Sequence, residues 1–165
     1  MTRKTLAPLL TFVAAMLSVA GCGGGGLVVG GNAIVTDASG TSTGFRFPSG
    51  VHLNGGMGTN SGACTISRGA AGVYGVVVDL YGDSQGTGHA VRSMSIMAHS
   101  DAPDAGDIMA DLGGTEYSGT CRVDLTAIDE TRGSVTITAN DCPLTHATET
   151  VSADVLLTFS ACTVI

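Results

Sequence analysis

Cys121-Arg122-Val123-Asp124-Leu125-Thr126-Ala127 carries apolar residues at its odd positions and polar ones at its even positions. Side chains along a strand point alternately to its two faces, so this spelling describes a strand with one face in a core and the other in water. The same parity returns at Val135, Ile137 and Ala139, and again at Val151, Ala153, Val155, Leu157 and Phe159. The three segments read as consecutive antiparallel strands whose odd residues face a common core.

Upstream, Val73-Tyr74-Gly75-Val76-Val77-Val78-Asp79-Leu80-Tyr81 has the apolar density of a central strand, and Gly82-Asp83-Ser84-Gln85-Gly86 breaks it as a turn or loop. A strand over about 90–98 follows, with Met94, Ile96 and Ala98 on one face. Weaker strand candidates lie near 33–36, 45–47, 51–54, 63–67 and 107–112, and Asp101-Ala102-Pro103-Asp104-Ala105-Gly106-Asp107 reads as an exposed loop. Helical periodicity is scarcely present after residue 26. Many short strands joined by Gly- and Asp-rich loops predict an all-β domain, an antiparallel β-sandwich or small β-barrel.

The amino end has a different character. Arg3 and Lys4 precede an uncharged apolar run over 6–20, which suits an export signal and is short of the roughly 20 residues a spanning helix needs. The run ends in Val19-Ala20-Gly21-Cys22, which resembles the lipobox of bacterial lipoproteins. That resemblance implies cleavage before Cys22 and lipid on its thiol, and two or three acyl chains would make a lasting membrane anchor. With Gly23 after the cysteine, it implies the outer membrane in a Gram-negative cell, or the outer face of the cell membrane in a Gram-positive one. The rival readings are an ordinary secretory signal with an incidental Cys22 and an uncleaved helix. The expected organisation is a signal peptide over 1–21, a lipidated cysteine and flexible Gly-rich tether over 22–40, and a single β-rich domain over 41–165. A phosphate-cradling loop at the glycines is excluded, because no Gly-Lys-Ser/Thr follows.

Beyond residue 21 the chain keeps Arg46, Arg68, Arg92, Arg122 and Arg132, no lysine, and all 14 acidic residues. Such a surface repels phosphate backbones, which removes nucleic acid from the expected partners. Tryptophan is absent and aromatic residues make up 4% of the chain, so the stacking platforms of many sugar-binding and single-strand-binding faces are missing.

Cys64, Cys121, Cys142 and Cys162 remain besides Cys22, and an even number in an exported domain reads as two disulfides. None stands at a Cys-x-x-Cys spacing, which weakens the metal-site alternative. The turn Asp129-Glu130-Thr131-Arg132-Gly133 would bring Cys121 and Cys142 to one end of a hairpin. Strict alternation places them on opposite faces, so that pairing requires a bulge near 140–143, and it would leave Cys64 for Cys162. In layout the chain is also similar to the small β-rich lipoprotein antigens of mycobacteria: lipidated cysteine, Gly-rich tether, Cys64-Thr65 near the domain start and Cys162 closing the last strand. The resemblance implies that the early and terminal cysteines pair; Cys121 and Cys142 have no counterpart in it.

Chemistry is harder to find. Gly40-Thr41-Ser42-Thr43-Gly44 and Gly82-Asp83-Ser84-Gln85-Gly86 both match G-x-S-x-G, but a nucleophile elbow needs a strand-to-helix turn over a parallel sheet. The second is similar to the Gly-Asp-Ser-Gly-Gly of chymotrypsin-like proteases, with Gln85 departing from it. His52, His89, His99 and His146 form no i, i+2 or i, i+4 pair. Asp101, Asp104 and Asp107 are weak candidates for calcium, since their spacing departs from the EF-hand pattern. An acid–base carboxylate pair such as Asp124 with Asp141 requires geometry to recognise. Met57, Met94, Met97 and Met109 read as core packing rather than a soft-metal site. No cofactor is implied. The expectation is a non-enzymatic interaction or structural module that meets the membrane through lipid on Cys22 and contacts an envelope protein or external partner. The alternative is a carrier of a small apolar ligand or lipid, and a hydrolase comes third.

Overall fold

The computed structural model describes residues 26–53, 61–82, 85–86 and 90–165. Among these there is no α-helix, only the 3-10 turns Ala70–Gly72 and Pro103–Ala105. The strands are β1 (Leu27–Thr36), β2 (Ser42–Leu53), β3 (Ser61–Arg68), β4 (Tyr74–Tyr81), β5 (Gln85–Gly86), β6 (Val91–His99), β7 (Gly106–Leu112), β8 (Thr115–Cys121), β9 (Asp124–Asp129), β10 (Ser134–His146), β11 (Glu149–Ser160) and β12 (Thr163–Val164). They form one sheet in the order β12-β3-β4-β6-β7-β8-β10-β11-β1-β2-β5, with β9 also on β10. Every ladder is antiparallel except β12 on β3. The sheet curls into a half-barrel. Its two halves share a single core that includes Val29, Phe45, Ile66, Val78, Met94, Ile108, Ile137, Leu157 and Phe159.

The parity of the carboxy-terminal third is borne out where one face is buried. Val135, Ile137 and Ala139 of β10 and Val151, Ala153, Val155, Leu157 and Phe159 of β11 all lie in the core. The same holds for Met94, Ile96 and Ala98 of β6, and β4 is central, between β3 and β6. The opening segment departs from the expectation of one unbroken strand. β8 and β9 run in line along one edge of β10 but separate at Arg122 and Val123, because β8 must also pair with β7. At this corner Val123 leaves the ladder, becomes fully buried, and gives its amide to the Pro103 carbonyl at 2.7 Å. Downstream, Ala127 is exposed at φ 50° instead of facing the core.

The bulge that the cysteines required is present. Pairing of β10 with β11 shifts between Ala139 and Cys142, which turns Cys142 and Leu144 inward, and Cys121 and Cys142 form a disulfide across the corner. Cys64 and Cys162 form the second, closing a separation of 98 residues. By loop-closure entropy these contribute about 3 and about 5 kcal/mol respectively.

The flexible tether expected over 22–40 does not extend past Leu27. From Leu27 onward the segment read as flexible is β1, paired with β11 on one side and β2 on the other, with Val29, Ala33 and Val35 fully buried. Its glycines serve packing there: the β1–β2 register shifts between Val29 and Gly31, Gly31 has φ +106°, and a Cβ on it would lie 2.0 Å from the Leu156 carbonyl oxygen. The folded domain therefore starts at Leu27 rather than at 41. The signal segment, Cys22 and 23–25 lie outside the described residues.

Candidate functional site

Three turns gather at one end of the half-barrel. Residues 37–41 join β1 to β2, and the Asp37 carboxylate holds that turn: its Oδ1 accepts from the Ser39 amide at 2.8 Å, the Ser39 hydroxyl at 2.6 Å and the Thr41 amide at 2.9 Å. This is the local bonding that makes aspartate a turn residue. Gly113 and Gly114 join β7 to β8 with φ of 63° and 97°, the doubly positive pattern of a tight hairpin, and Asp111 accepts the Gly114 amide at 2.6 Å. Ala147 and Thr148 join β10 to β11.

Between these turns lies a cleft of about 600 Å³, within the usual range of small-molecule sites. Val35, Leu112 and Val151 give it apolar surface, while Ser39, Thr41, Thr43, Thr115, Thr148 and Thr150 give it hydroxyls. Tyr117 of β8, buried but for 8% of its surface, donates its hydroxyl to Glu149 Oε2 of β11 at 2.6 Å. That bond joins the two halves of the sheet at the cleft wall. The Glu149 carboxylate that accepts the phenol proton, helped by burial, holds the Tyr117 pKa above its ordinary value of 10.0. The ring lies 5.6 Å from that of His146, whose Nδ1 is 2.9 Å from the Glu116 carbonyl oxygen.

The residues singled out from sequence are placed elsewhere. The four domain cysteines are consumed by the two disulfides. Asp104 pairs with Arg122 at 3.3 Å, Asp107 accepts from the Thr120 hydroxyl at 2.6 Å, and Asp101 is exposed. No group of three or more His, Cys, Asp or Glu able to hold a metal occurs among the described residues. The Ser42 hydroxyl is 2.9 Å from that of Thr36. Ser84, His89 and Met57 lie outside the described residues, while Gln85 and Gly86 of the second G-x-S-x-G pair with Gly44 and Thr43 of the first. Asp124 is engaged by Arg122 at 2.8 Å. Met94 packs in the core as expected, but Met97 and Met109 are 47% and 41% exposed; with Val77 they form an apolar strip on the outer face, beside a groove of about 250 Å³.

Sequence reading passed over Asp37, Tyr117 and Glu149. Two signals pointed at their neighbourhood: Asp37-Ala38-Ser39-Gly40 as an aspartate turn, and Gly113-Gly114 between strand-forming residues as a hairpin. Comparison of the chain with protein families, curated proteins and solved structures returns no match.

Proposed function

We propose that the chain is an envelope lipoprotein, anchored by lipid on Cys22, whose β-domain acts without catalysis by contacting an envelope component or external partner at the end cleft. The observation that carries this reading is the run of β1. Leu27 enters at the end where β1 meets Leu53 and Ser160, while Val35 and Asp37 line the cleft at the other. Ten residues of strand separate the ends by about 30 Å. From Cys22 to Leu27 the chain can span at most about 18 Å. A lipid on Cys22 therefore holds the entry end near the membrane and leaves the cleft facing the aqueous space. The acidic balance of the chain weighs against nucleic acid and anionic lipid as partners.

A second reading, a carrier of a small apolar ligand, draws on the volume of the cleft and on Val35, Leu112 and Val151 in its walls. One experiment addresses both. Protein purified from native membranes is expected to show an intact mass that lacks residues 1–21 and includes acyl chains, and the Cys22→Ala variant is expected to leave the membrane fraction. A variant that stayed equally membrane-bound would overturn the anchor, and a stoichiometric apolar molecule in the native mass spectrum would favour the carrier.

A further inference from the structure

We infer that the end cleft recognises a protonated amine or guanidinium carried on a short apolar stem, a conclusion that rests on the cleft being the contact surface of the domain. The carboxylates that line it come from two separate elements, Asp37 from the β1–β2 turn and Glu149 from the start of β11, and among the described residues no arginine or lysine lines it. The guanidinium of Arg92 stands beside Gly114 in the β7–β8 turn without joining the lining. A cation entering the cleft thus meets two negative charges, and an anion is repelled by both.

Both charges are fixed before any ligand arrives. Three hydrogen bonds hold Asp37 Oδ1 within its own turn, and the Tyr117 hydroxyl holds Glu149 Oε2. A carboxylate offers about four acceptor positions, so the bond to Tyr117 orients Glu149 without exhausting it. Pre-set acceptors spare the ordering cost that flexible ones incur on binding. The hydroxyls of Thr115, Thr148 and Thr150 supply further acceptors for N–H groups, and Val35, Leu112 and Val151 supply surface for methylenes. A wholly apolar guest fits less well, because filling the cleft would strip water from Glu149 without giving it a new partner. The net negative charge of the chain draws cations toward the domain from a distance.

The test uses the full lipidated chain in non-ionic detergent and three probes that share one stem: pentylamine, pentanol and pentanoate. Amide NMR shifts at Thr41, Gly113 and Thr150 report occupancy. Pentylamine is expected to bind at least about tenfold more tightly than pentanol, in keeping with one charge-assisted hydrogen bond, and pentanoate not at all. Glu149→Gln and Asp37→Asn, which keep an acceptor oxygen for the Tyr117 hydroxyl and for the turn, are each expected to weaken pentylamine about tenfold. Their thermal midpoints show whether the fold is retained. Arg92→Gln, outside the lining, is expected to leave binding equal or tighter. Spermidine and a short arginine-containing peptide then separate a free amine from a partner's side chain as the source of the cation. Equal binding of pentanol or pentanoate, an unchanged affinity in a folded Glu149→Gln and Asp37→Asn double variant, or no shift with any probe would overturn the inference. Release of Cys22→Ala from the membrane is read separately, so the anchor can stand when the ligand class fails.

Discussion

Two tyrosine–glutamate pairs join the halves of the curled sheet, one at each end. At the cleft Tyr117 donates to Glu149, and near the entry end Tyr74 donates to the Glu130 carboxylate, which also meets Arg68 at 3.3 Å. In both, the accepting carboxylate is the main reason the phenol holds its proton above the ordinary pKa of 10.0, with burial second. Tyr81 is raised as well, by burial first and then by Asp79. A raised pKa means that the folded state binds the proton more tightly than the unfolded chain. The stability this contributes is present below 10.0 and is lost as pH rises through that value toward the folded pKa. The urea midpoint of the wild type is therefore expected to fall between about pH 9 and about pH 11. A Tyr74→Phe, Tyr117→Phe double variant should be less stable at the lower pH and show a shallower fall, with the remaining slope belonging to Tyr81. Parallel slopes for the two proteins would mean that neither pair couples protonation to folding.

Within β10 the decisive element is its bulge. Ala139 faces Val155 and Cys142 faces Ala153, so Asn140 and Asp141 together oppose Asp154, whose carboxylate accepts the Asp141 amide at 3.0 Å while Asp141 adopts φ 49°. One extra residue changes which parity faces the core, from odd at Ala139 to even at Cys142 and Leu144. Deleting Asp141 leaves Asn140 alone opposite Asp154, so the ladder regains single alternation with Cys142 still opposite Ala153 and facing inward. Thiol titration in denaturant is therefore expected to find no reactive thiol from the four domain cysteines in either the wild type or that variant. Two reactive thiols in the deletion variant would show that the doubled position opposite Asp154, and not the Cys142–Ala153 register alone, is needed to aim Cys142. The bulge was legible because Cys121 and Cys142 have opposite parity, and β4, β6 and β11 were legible because each buries one face or both. β1 was misread because Gly30-Gly31-Asn32 has the composition of a linker, although Gly31 is there to let the backbone approach Leu156. The turns at the cleft left signals but the cleft itself left none: Asp37, Tyr117 and Glu149 belong to three distant strands and turns, and only the curl of the sheet brings them to one end.

Across the whole molecule, the disulfides hold the curl at two places: Cys121–Cys142 at the corner between β8 and β10, and Cys64–Cys162 where the chain leaves β11 to lie beside β3. The second clasp is extended by backbone bonds, from the Ile165 amide to Ile66 and from the Arg68 amide to Ile165. The same region receives Leu27, since Val28 pairs with Ser160 and the Cys162 amide bonds Gly133 in the β9–β10 turn. The entry end is thus the braced end and the cleft the far one, so a lipid on Cys22 would fix which end a partner meets. This orientation can be measured with single fluorophores at Arg132→Cys, in the β9–β10 turn, and at Ala38→Cys, in the cleft turn, on protein reconstituted into vesicles with a quencher on the lipid headgroup. Quenching at position 132 is expected to exceed that at 38 several times over, since about 30 Å of strand separates the two ends. Equal quenching would mean that the domain lies along the membrane, and the cleft would then face lipid as readily as water. A cleft held away from the bilayer is poorly placed to draw lipid from the membrane that anchors it and well placed to meet a cationic group arriving from solution.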